Sequence, residues 1–286
     1  MSGAFKAACV QVSAGRELAP NIETALRLGR EARAKGADFI AYPENVTMIE
    51  PIGVDALKKA LPEAEHPAIP AFRGLARETG AWILAGSLSI RAGGNKYANR
   101  SLLFDASGAI VARYDKLHLF DVDLPGGERY RESERIEPGQ RAVIAATPWG
   151  LLGMTICYDV RFPQLYRALA AAGATMFTVP AAFTQQTGRA HWHILNRARA
   201  IECGAFVFAA AQCGTHAEGR RTFGHSLIVD PWGEVLAEGG DTEGVIVAEI
   251  DPAKSGEARR RIPSLQHDRA FTGPEAADFA AKDAAE

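Results

Sequence analysis

The stretch GMTICYDVRFP, residues 153–163, joins an apolar run to a turn and then to a second kind of element. The apolar residues from Leu151 to Ile156 predict a buried strand. The following segment RFPQLYRALAAAGA (161–174) predicts a helix with Pro163 in its first turn. Cys157 stands at the turn between them, where a strand-to-helix junction often exposes a nucleophilic side chain. The thiol is therefore either a nucleophile or a small buried residue.

Strand and helix patterns alternate on both sides of this turn, and a hairpin is predicted to turn at DASG (105–108). Predicted strands are FKAACVQV (5–12), DFIAYPE (38–44), AWILAGSLSI (81–90), ATMFTVPAA (174–182), AFVFAAAQCG (205–214), TFGHSLIVD (222–230), GEVLAEGG (233–240) and GVIVAEID (244–251). Predicted helices are PNIETALRLGREARAKGA (20–37), IPAFRGLARETG (69–80) and AHWHILNRARAIECG (190–204). This order predicts an α/β fold with two stacked sheets in one domain, residues 1–270. The periodic signal fades after residue 251, and residues 271–286 are predicted to form a C-terminal tail.

Composition excludes several classes of protein. The 286 residues are 47% hydrophobic and 23% charged, with a formal net charge of −2. The sequence contains no basic stripe of the kind that predicts nucleic-acid binding. It also contains no polybasic or long apolar stretch that would predict membrane binding. The N-terminal residues lack a signal-peptide pattern, so a cytoplasmic protein is expected. Its four cysteines are then predicted to be reduced thiols, and their spacing does not match a zinc site.

The cysteines differ in their surroundings. Cys9, Cys203 and Cys213 lie within or at the ends of regular segments, which favours inert core positions. Cys157 precedes a helix, whose N-terminus is expected to lower the thiol pKa while the turn leaves the thiol partly exposed. From position alone, a catalytic and a structural role are about equally supported.

A nucleophile needs a base and a group that stabilises the oxyanion. Four histidines are candidates for the base, but none has a distinguishing local pattern: His118, His191, His193 and His225. Two other strand ends have unusual polar residues, Glu44 in FIAYPEN and Lys116 in IVARYDKLHLFD. These residues either converge with Cys157 at one sheet edge or are solvated loop charges.

Together, the three segments resemble the nitrilase superfamily of carbon–nitrogen hydrolases, from AACVQV (7–12) to about IPSLQHDRAF (262–271). The resemblance assigns the general base to Glu44 in YPEN, the oxyanion-binding lysine to Lys116 in YDKLHLFD and the nucleophile to Cys157 in ICYDVRFP. It assigns to Glu132, in YRES, the role of orienting the lysine and substrate. It implies a four-layer α-β-β-α sandwich and a reaction that requires no metal or organic cofactor.

Within that superfamily the chain is similar to the Nit subgroup, amidases of α-keto acid amides. KLHLFDVDLPGGERYRES (116–133), CYDVRFPQLYRALA (157–170), AAFTQQTGRAHWHILNRARAIE (181–202) and GHSLIVDPWGEVLA (224–237) support this resemblance. AAAQCGTHAEGRRTFGHSLIVDPWG (209–233) favours the branch that acts on deaminated glutathione over the branch that acts on α-ketoglutaramate and α-ketosuccinamate. Asp268 in LQHDR departs from the family pattern, where a basic residue is expected. The family implies a homodimer or higher homo-oligomer, packed through the helices after the nucleophile and the C-terminal segment.

Three other functions stay open. An N-carbamoyl amino acid amidohydrolase and a nitrilase would use the same catalytic residues, so only the pocket separates them from an amidase. A non-enzymatic binding module is disfavoured, because a scaffold does not require all four residues assigned above.

The resemblance implies a mechanism in which Glu44 takes the thiol proton from Cys157, returns it to the leaving group and then activates water. The oxyanion would lie between the Lys116 ammonium and the backbone N–H of Tyr158. Because His118 lies two residues from Lys116, it is predicted to support the lysine, and it is the next candidate for the base.

Substrate recognition is predicted from position. Arg161 follows the nucleophile closely and is a candidate for binding a substrate carboxylate, or else pairs with an acid such as Asp159. Pocket-lining residues are predicted at strand ends: Tyr42, Phe183 and Thr184. Two arginines of the GRR loop, Arg220 and Arg221, are candidates for a second substrate carboxylate or are free surface charges. His191 and His193, with Trp192, are predicted to open a helix, where packing and capping explain them better than a metal.

Overall fold

The computed structural model describes residues 3–51 and 54–274. The helices are α1 (Leu18–Ala34), α2 (Val54–Lys59), α3 (Ala68–Thr79), α4 (Pro163–Ala171), α5 (Gln185–Cys203) and α6 (Ala253–Arg261). The first eight strands are β1 (Phe5–Gln11), β2 (Phe39–Ala41), β3 (Trp82–Leu84), β4 (Leu88–Gly93), β5 (Lys96–Phe104), β6 (Ile110–Asp115), β7 (Asp121–Asp123) and β8 (Arg129–Arg131). The remaining strands are β9 (Val143–Thr147), β10 (Gly150–Met154), β11 (Met176–Thr178), β12 (Phe206–Ala209), β13 (Cys213–Thr215), β14 (Arg221–Phe223), β15 (Leu227–Val229), β16 (Val235–Glu238) and β17 (Gly244–Ile250).

Two large mixed sheets form the centre of the molecule. The first has the order β17-β1-β2-β3-β5-β4, with β6 paired to β5, and the second has the order β16-β15-β12-β11-β10-β9. The pairs β1–β2, β2–β3, β10–β11 and β11–β12 are parallel, whereas the outer pairs are antiparallel. Two smaller ribbons, β7–β8 and β13–β14, lie outside these sheets.

Strand β1 shows how the layers stack, because successive side chains of a strand point to opposite faces. Ala7 and Cys9 belong to the core between the sheets, which also contains Phe208 of the second sheet. Ala8 and Val10 belong to a second core, which the first sheet forms with α1 and α3. Helices α4 and α5 contribute buried residues to the packing of the second sheet. The four-layer α-β-β-α sandwich is therefore confirmed.

The stretch AWILAGSLSI was predicted as one strand, and this prediction is wrong. The chain turns at Gly86, which has a φ of 61°, and the flanking strands β3 and β4 both pair with β5. A Cβ at Gly86 would overlap the carbonyl oxygen of Pro43, so glycine allows the close approach of this turn to the segment after β2. The turn therefore packs against the backbone that leads into Glu44.

Four other segments differ from the predictions. AFVFAAAQCG, predicted as one strand, contributes to two, β12 in the second sheet and β13 in the β13–β14 ribbon. TFGHSLIVD forms two strands, β14 and β15, separated by His225 at a φ of 53°. Helix α5 begins at Gln185, because the Thr184 side chain caps it by accepting from the backbone N–H of Thr187. His191 and His193 therefore lie inside the helix and do not open it. Helix α6 follows residue 251, where the apolar pattern had faded.

The predicted tail falls mostly outside the described residues, since positions 275–286 are not among them. The hairpin turning at DASG is confirmed by the antiparallel pairing of β5 with β6. Within the described part of the chain, none of the helices has the length and apolar character needed to cross a bilayer.

Candidate active site

Four residues predicted from sequence meet at one end of the sandwich. Glu44 follows β2 and Lys116 follows β6, both in the first sheet, whereas Cys157 follows β10 in the second. Glu132 lies on the single 3₁₀ turn after β8. The Lys116 Nζ lies 2.8 Å from Glu44 Oε1 and 2.8 Å from Glu132 Oε2, and Cys157 lines the same narrow pocket as both glutamates. The structure therefore gathers a thiol, a cation and two carboxylates at one buried site.

Cys157 occupies an unusual backbone conformation, with a φ of 48°. Its own N–H donates to the carbonyl of Pro180 at 2.9 Å, which fixes the turn against the segment after β11. The turn is also held by Asp159, whose Oδ2 accepts from the Ile156 N–H at 2.8 Å. A non-glycine residue in the left-handed region at a sheet edge is typical of strained functional sites.

Glu44 is held by three further contacts besides that with Lys116. Its Oε1 accepts from Asn99 Nδ2 at 2.8 Å, and its Oε2 accepts from the Ala182 N–H at 3.0 Å. The Gln212 side-chain amide donates to the Glu44 backbone carbonyl at 3.0 Å. These contacts orient one carboxylate oxygen toward the lysine and the other toward the second sheet.

Asn99 was not predicted as a site residue. It lies within β5, in the first strand of the predicted hairpin, and the residue is 2% exposed. The sequence offered one weak indication of its role: asparagine is disfavoured inside strands, and a buried asparagine needs hydrogen-bond partners.

The charged forms of Glu44 and Lys116 stabilise each other. Burial works against both charges, but the nearby Lys116 ammonium lowers the pKa of Glu44 below its ordinary value. Glu132 and Glu44 together raise the pKa of Lys116 well above its ordinary value despite burial. The site therefore holds an ionised carboxylate next to an ammonium group at neutral pH.

Cys157 does not have the lowered thiol pKa that its position before a helix predicted. Its side chain is buried, with the residue 7% exposed, and burial followed by the Glu44 charge raises the thiol pKa well above its ordinary value. The turn after it is a short 3₁₀ segment, Cys157–Arg161, and the first full helix starts only at Pro163. The structure therefore presents a neutral thiol beside an ionised carboxylate.

A narrow pocket opens onto the thiol. Its walls are formed by residues from both sheets and their connecting loops: Glu44, Phe120, Glu132, Cys157, Tyr158, Ala182, Phe183, Thr184, Thr187 and Arg220. Tyr158, Phe183 and Thr184 thus lie where the sequence placed them, whereas Phe120 and Thr187 were not predicted.

Tyr42 does not line this pocket, contrary to the sequence prediction. Its ring packs edge-on against Phe72 of α3, and its hydroxyl donates to the carbonyl of Ala25 in α1 at 2.8 Å. The side chain therefore points to the helix-covered face of the first sheet, the same face as Ile40 two residues earlier in the chain.

Arg161 lies beside the pocket and does not pair with Asp159. Its guanidinium is 5.4 Å from the ring centroid of Phe183 and 5.9 Å from that of Tyr158, both of which line the pocket. Its Nη2 lies 3.2 Å from His191 Nδ1. A carboxylate-binding role for Arg161 stays a prediction.

His118 contacts the turn that contains Cys157. Its Nδ1 lies 2.7 Å from Asp159 Oδ1, its N–H donates to the same oxygen at 3.0 Å, and its ring stacks on Phe162 at 3.6 Å. Asp159 also accepts from the hydroxyl of Tyr114 at 2.6 Å. The buried Asp159 thus links the segment of Lys116 to the segment of Cys157.

A larger cavity of about 630 Å³ adjoins the narrow pocket. Arg220 lines both spaces, and its guanidinium lies 5.5 Å from the ring centroid of Tyr130. Among the residues that the structure describes, none hydrogen-bonds to the buried Arg220 Nε, although Arg220 Nη2 donates to the carbonyl of Ala182 at 3.2 Å. Arg221, in contrast, is exposed on β14. The two arginines of the GRR loop are therefore not equivalent.

The chain is similar to known proteins over most of its length. Residues 6–260 match the carbon-nitrogen hydrolase family. A protein of Synechocystis named deaminated glutathione amidase is 40% identical, covering 92% of this chain and 97% of the relative.

Two solved structures are similar over most of the chain. The C. elegans NitFhit protein has a TM-score of 0.87 at 36% identity, covering 94% of this chain, which spans 66% of that protein. A variant of a Nesterenkonia amidase, in which the acetamide moiety of fluoroacetamide is covalently added to the active-site cysteine, has a TM-score of 0.76 at 26% identity. That match covers 93% of this chain and 97% of the other.

Proposed function

The chain belongs to the carbon-nitrogen hydrolase family, and we propose that it hydrolyses the amide bond of deaminated glutathione to 2-oxoglutarate and cysteinylglycine. The observation that supports this most is the buried grouping of Cys157, Glu44 and Lys116 at a narrow pocket that shares Arg220 with a larger cavity. The name of the Synechocystis relative supports the choice of substrate.

Acylation begins when Glu44 accepts the thiol proton of Cys157 and the sulfur attacks the amide carbon. The oxyanion that forms is stabilised by the Lys116 ammonium and the backbone N–H of Tyr158, each donor contributing about 3–4 kcal/mol. Glu44 then gives the proton to the amine nitrogen, the carbon–nitrogen bond breaks, and the acyl group remains on sulfur as a thioester.

Deacylation reuses the same groups. Glu44 takes a proton from water, the hydroxide attacks the thioester carbon, and the sulfur leaves and recovers a proton from Glu44. Glu132 holds Lys116 through two contacts of 2.8 Å and 3.0 Å to Nζ, so it positions the oxyanion donor. None of these steps needs a metal or an organic cofactor.

Arg220 is proposed to bind the carboxylate of the α-keto acid half. It shares the narrow pocket with Cys157, and its buried Nε has no partner within the described part of the chain, so a carboxylate would satisfy it. The leaving dipeptide then occupies the outer cavity of about 630 Å³, which is larger than released ammonia requires. This extra room favours deaminated glutathione over α-ketoglutaramate.

The test compares kcat/KM for deaminated glutathione, α-ketoglutaramate, a simple nitrile and an N-carbamoyl amino acid on one preparation. Deaminated glutathione is expected to be the best substrate. A clear preference for α-ketoglutaramate would move the protein to the other amidase branch, and turnover of only the nitrile or carbamoyl compound would contradict the proposal.

Arg220→Ala should lower kcat/KM about 10- to 150-fold, since a buried charged hydrogen bond contributes about 1.5–3 kcal/mol and its loss leaves a carboxylate unpaired. The loss should be equal for deaminated glutathione and α-ketoglutaramate, which share the acyl half. Arg221→Ala is the matched control and should change neither value. A loss confined to deaminated glutathione would instead place Arg220 at the leaving dipeptide.

The proposal includes a homodimer and a cytoplasmic location. Helix α5 presents Ile194 and Ile201, which are 68% and 52% exposed, and two copies are proposed to pack through this helix and the C-terminal segment. Sedimentation of the full chain tests the oligomeric state, and cell fractionation tests the location.

A further inference from the structure

Three side chains with metal-binding atoms meet away from the residues assigned to catalysis. His193 lies on α5, His225 precedes β15, and Glu238 ends β16. One donor atom from each lies within 4.8 Å of the other two. Glu238 Oε1 is 2.9 Å from His193 Nε2 and 2.8 Å from His225 Nδ1. Segments distant in sequence therefore place two imidazoles and a carboxylate around one point.

The ring of His225 faces a carboxylate at both nitrogens. Besides Glu238 at Nδ1, Asp241 Oδ1 lies 3.3 Å from Nε2. A neutral imidazole has one N–H and can donate to only one of these oxygens. If that proton is on Nε2, facing Asp241, the Nδ1 lone pair and the Glu238 oxygen point at each other, and a cation between them resolves the conflict.

The backbone holds His225 in place. It has a φ of 53°, its carbonyl accepts from the Nε1–H of buried Trp192 at 2.7 Å, and its N–H donates to the carbonyl of Gly240 at 3.1 Å. Its ring stacks on Phe223, with the centroids 4.4 Å apart. These contacts hold the His225 backbone and ring in one place, as a metal ligand requires.

We propose that His193, His225 and Glu238 form a binding site for a divalent transition metal such as Zn²⁺. His193 Nε2, His225 Nδ1 and a Glu238 oxygen would be the ligands, a donor set that suits Zn²⁺. Asp241 would accept from Nε2–H of His225, the usual second partner of a metal-bound imidazole.

The geometry requires only small movements. Tetrahedral zinc places its nitrogen and oxygen donors about 3.4 Å apart, so the present contacts open by about half an ångström. The side chains of His193 and Glu238 are 34% and 40% exposed, which gives them room to adjust and leaves one coordination position for water or another ligand. The site would tie α5 to the paired strands β15 and β16.

The experiment measures Zn²⁺ binding to the metal-free full-length protein by isothermal titration. One Zn²⁺ per chain is expected to bind to the wild type. His193→Gln and His225→Gln should each weaken binding more than about 100-fold, beyond the effect of removing a supporting partner, and Asp241→Asn should weaken it about 10-fold.

Two controls separate this site from others. Cys157→Ala removes the thiol of the catalytic pocket, and His191→Gln removes an exposed histidine from the same helix, so both should retain the bound ion. Loss of binding in Cys157→Ala, or undiminished binding in both His193→Gln and His225→Gln, would overturn the proposal.

A second measurement covers variants that fold poorly. X-ray absorption of wild-type protein loaded with one equivalent of Zn²⁺ should show nitrogen and oxygen ligands only, and any sulfur ligand would contradict the site. Bound Zn²⁺ should also raise the melting temperature of the wild type, because binding to the native state stabilises it. An absence of tight binding to the wild type would mean that the cluster is a hydrogen-bonded group only.

Discussion

Cys157 and Glu44 form a pair in which the proton rests on sulfur until a substrate arrives. Burial raises the thiol pKa, and the lysine lowers the pKa of the carboxyl group. In the proposed mechanism the thiol therefore gives its proton to Glu44 as the sulfur attacks, without first forming a stable thiolate. This arrangement differs from the sequence expectation of a thiol acidified by a helix.

Cys157→Ala should abolish turnover, with kcat lowered at least about 10⁴-fold, because removal of a nucleophile eliminates the covalent route. Rapid quenching of wild type with α-ketoglutaramate, followed by mass spectrometry of peptides, should find the acyl group on Cys157. Cys213→Ala is the control, since that thiol is buried elsewhere, and should retain activity. An adduct on Cys213 would refute the assignment.

The two glutamates around Lys116 should give different kinetic defects. Glu44→Gln removes the proposed general base, so the rates of both acylation and thioester hydrolysis should fall about 10³-fold or more. This size of loss combines the usual contribution of a general base with the loss of charge stabilisation. Glu132→Gln keeps the base and disturbs the position of Lys116, so single-turnover experiments should still detect acylation. Near-normal rates for Glu44→Gln would place the base elsewhere, with His118 the next residue to test.

The residues that sequence reasoning found and missed differ in a physical way. Glu44, Lys116 and Cys157 follow strands and stand out locally as polar ends of apolar runs, so the strand pattern and the family resemblance both mark them. Asn99 contacts Glu44 across 55 positions of the chain and no local pattern marks that contact. The different surroundings of Arg220 and Arg221 likewise depend on the folded loop.

At the scale of secondary-structure elements, the turns between strands position the residues of the candidate site. Helix and strand segments with clear apolar periods were predicted, whereas the breaks at Gly86 and His225 were not, because residues typical of strands stand on both sides of each position. Helix α6 was missed since its residues are mostly polar and only Ser255 and Ala258 are buried. Packing against the rest of the protein, through contacts such as Arg259 Nε to the carbonyl of Cys203 at 3.0 Å, stabilises it instead.

Gly86→Ala should lower the free energy of unfolding by about 3 kcal/mol or more, because it adds left-handed strain of about 1–2 kcal/mol and a clash with the backbone of Pro43. Gly80→Ala is the matched control. It has a similar φ of 66° but no atom within 4 Å of its added Cβ, so it should cost only about 1 kcal/mol. Urea denaturation measures both, and equal losses would show that the close approach is unimportant.

For the whole molecule, the site exists only where the two sheets meet. Glu44 and Lys116 belong to the first sheet and Cys157 to the second, and the Ala182 N–H bonds to Glu44 across the interface. The layered architecture was predictable from the order of strands and helices together with the family resemblance. The relative placement of the sheets was not, because it results from side chains packing between them, such as Phe39 against Phe208.

Stability should fall as the pH rises above about 9, because the fold keeps thiols protonated that an unfolded chain would ionise. Burial raises the pKa of Cys203 and of Cys213 to about 12 each, from an ordinary value of 9.0. A group whose folded pKa is raised stabilises the fold fully below the unfolded pKa and loses that contribution as pH rises through the folded value. Between pH 9 and 12 each thiol should therefore reduce the free energy of unfolding by about 1.4 kcal/mol per pH unit.

Urea denaturation from pH 7 to 10.5 measures this slope in the wild type, in Cys203→Ala and in Cys213→Ala. Each variant should be less stable at pH 7, because it loses buried volume. Above pH 9, however, its free energy of unfolding should fall less steeply with pH than that of the wild type, by the slope that corresponds to about one proton per molecule. The difference between wild type and variant at two pH values cancels the packing loss, which is independent of pH. Parallel slopes in all three proteins would mean that these thiols ionise as readily in the folded state as in the unfolded chain.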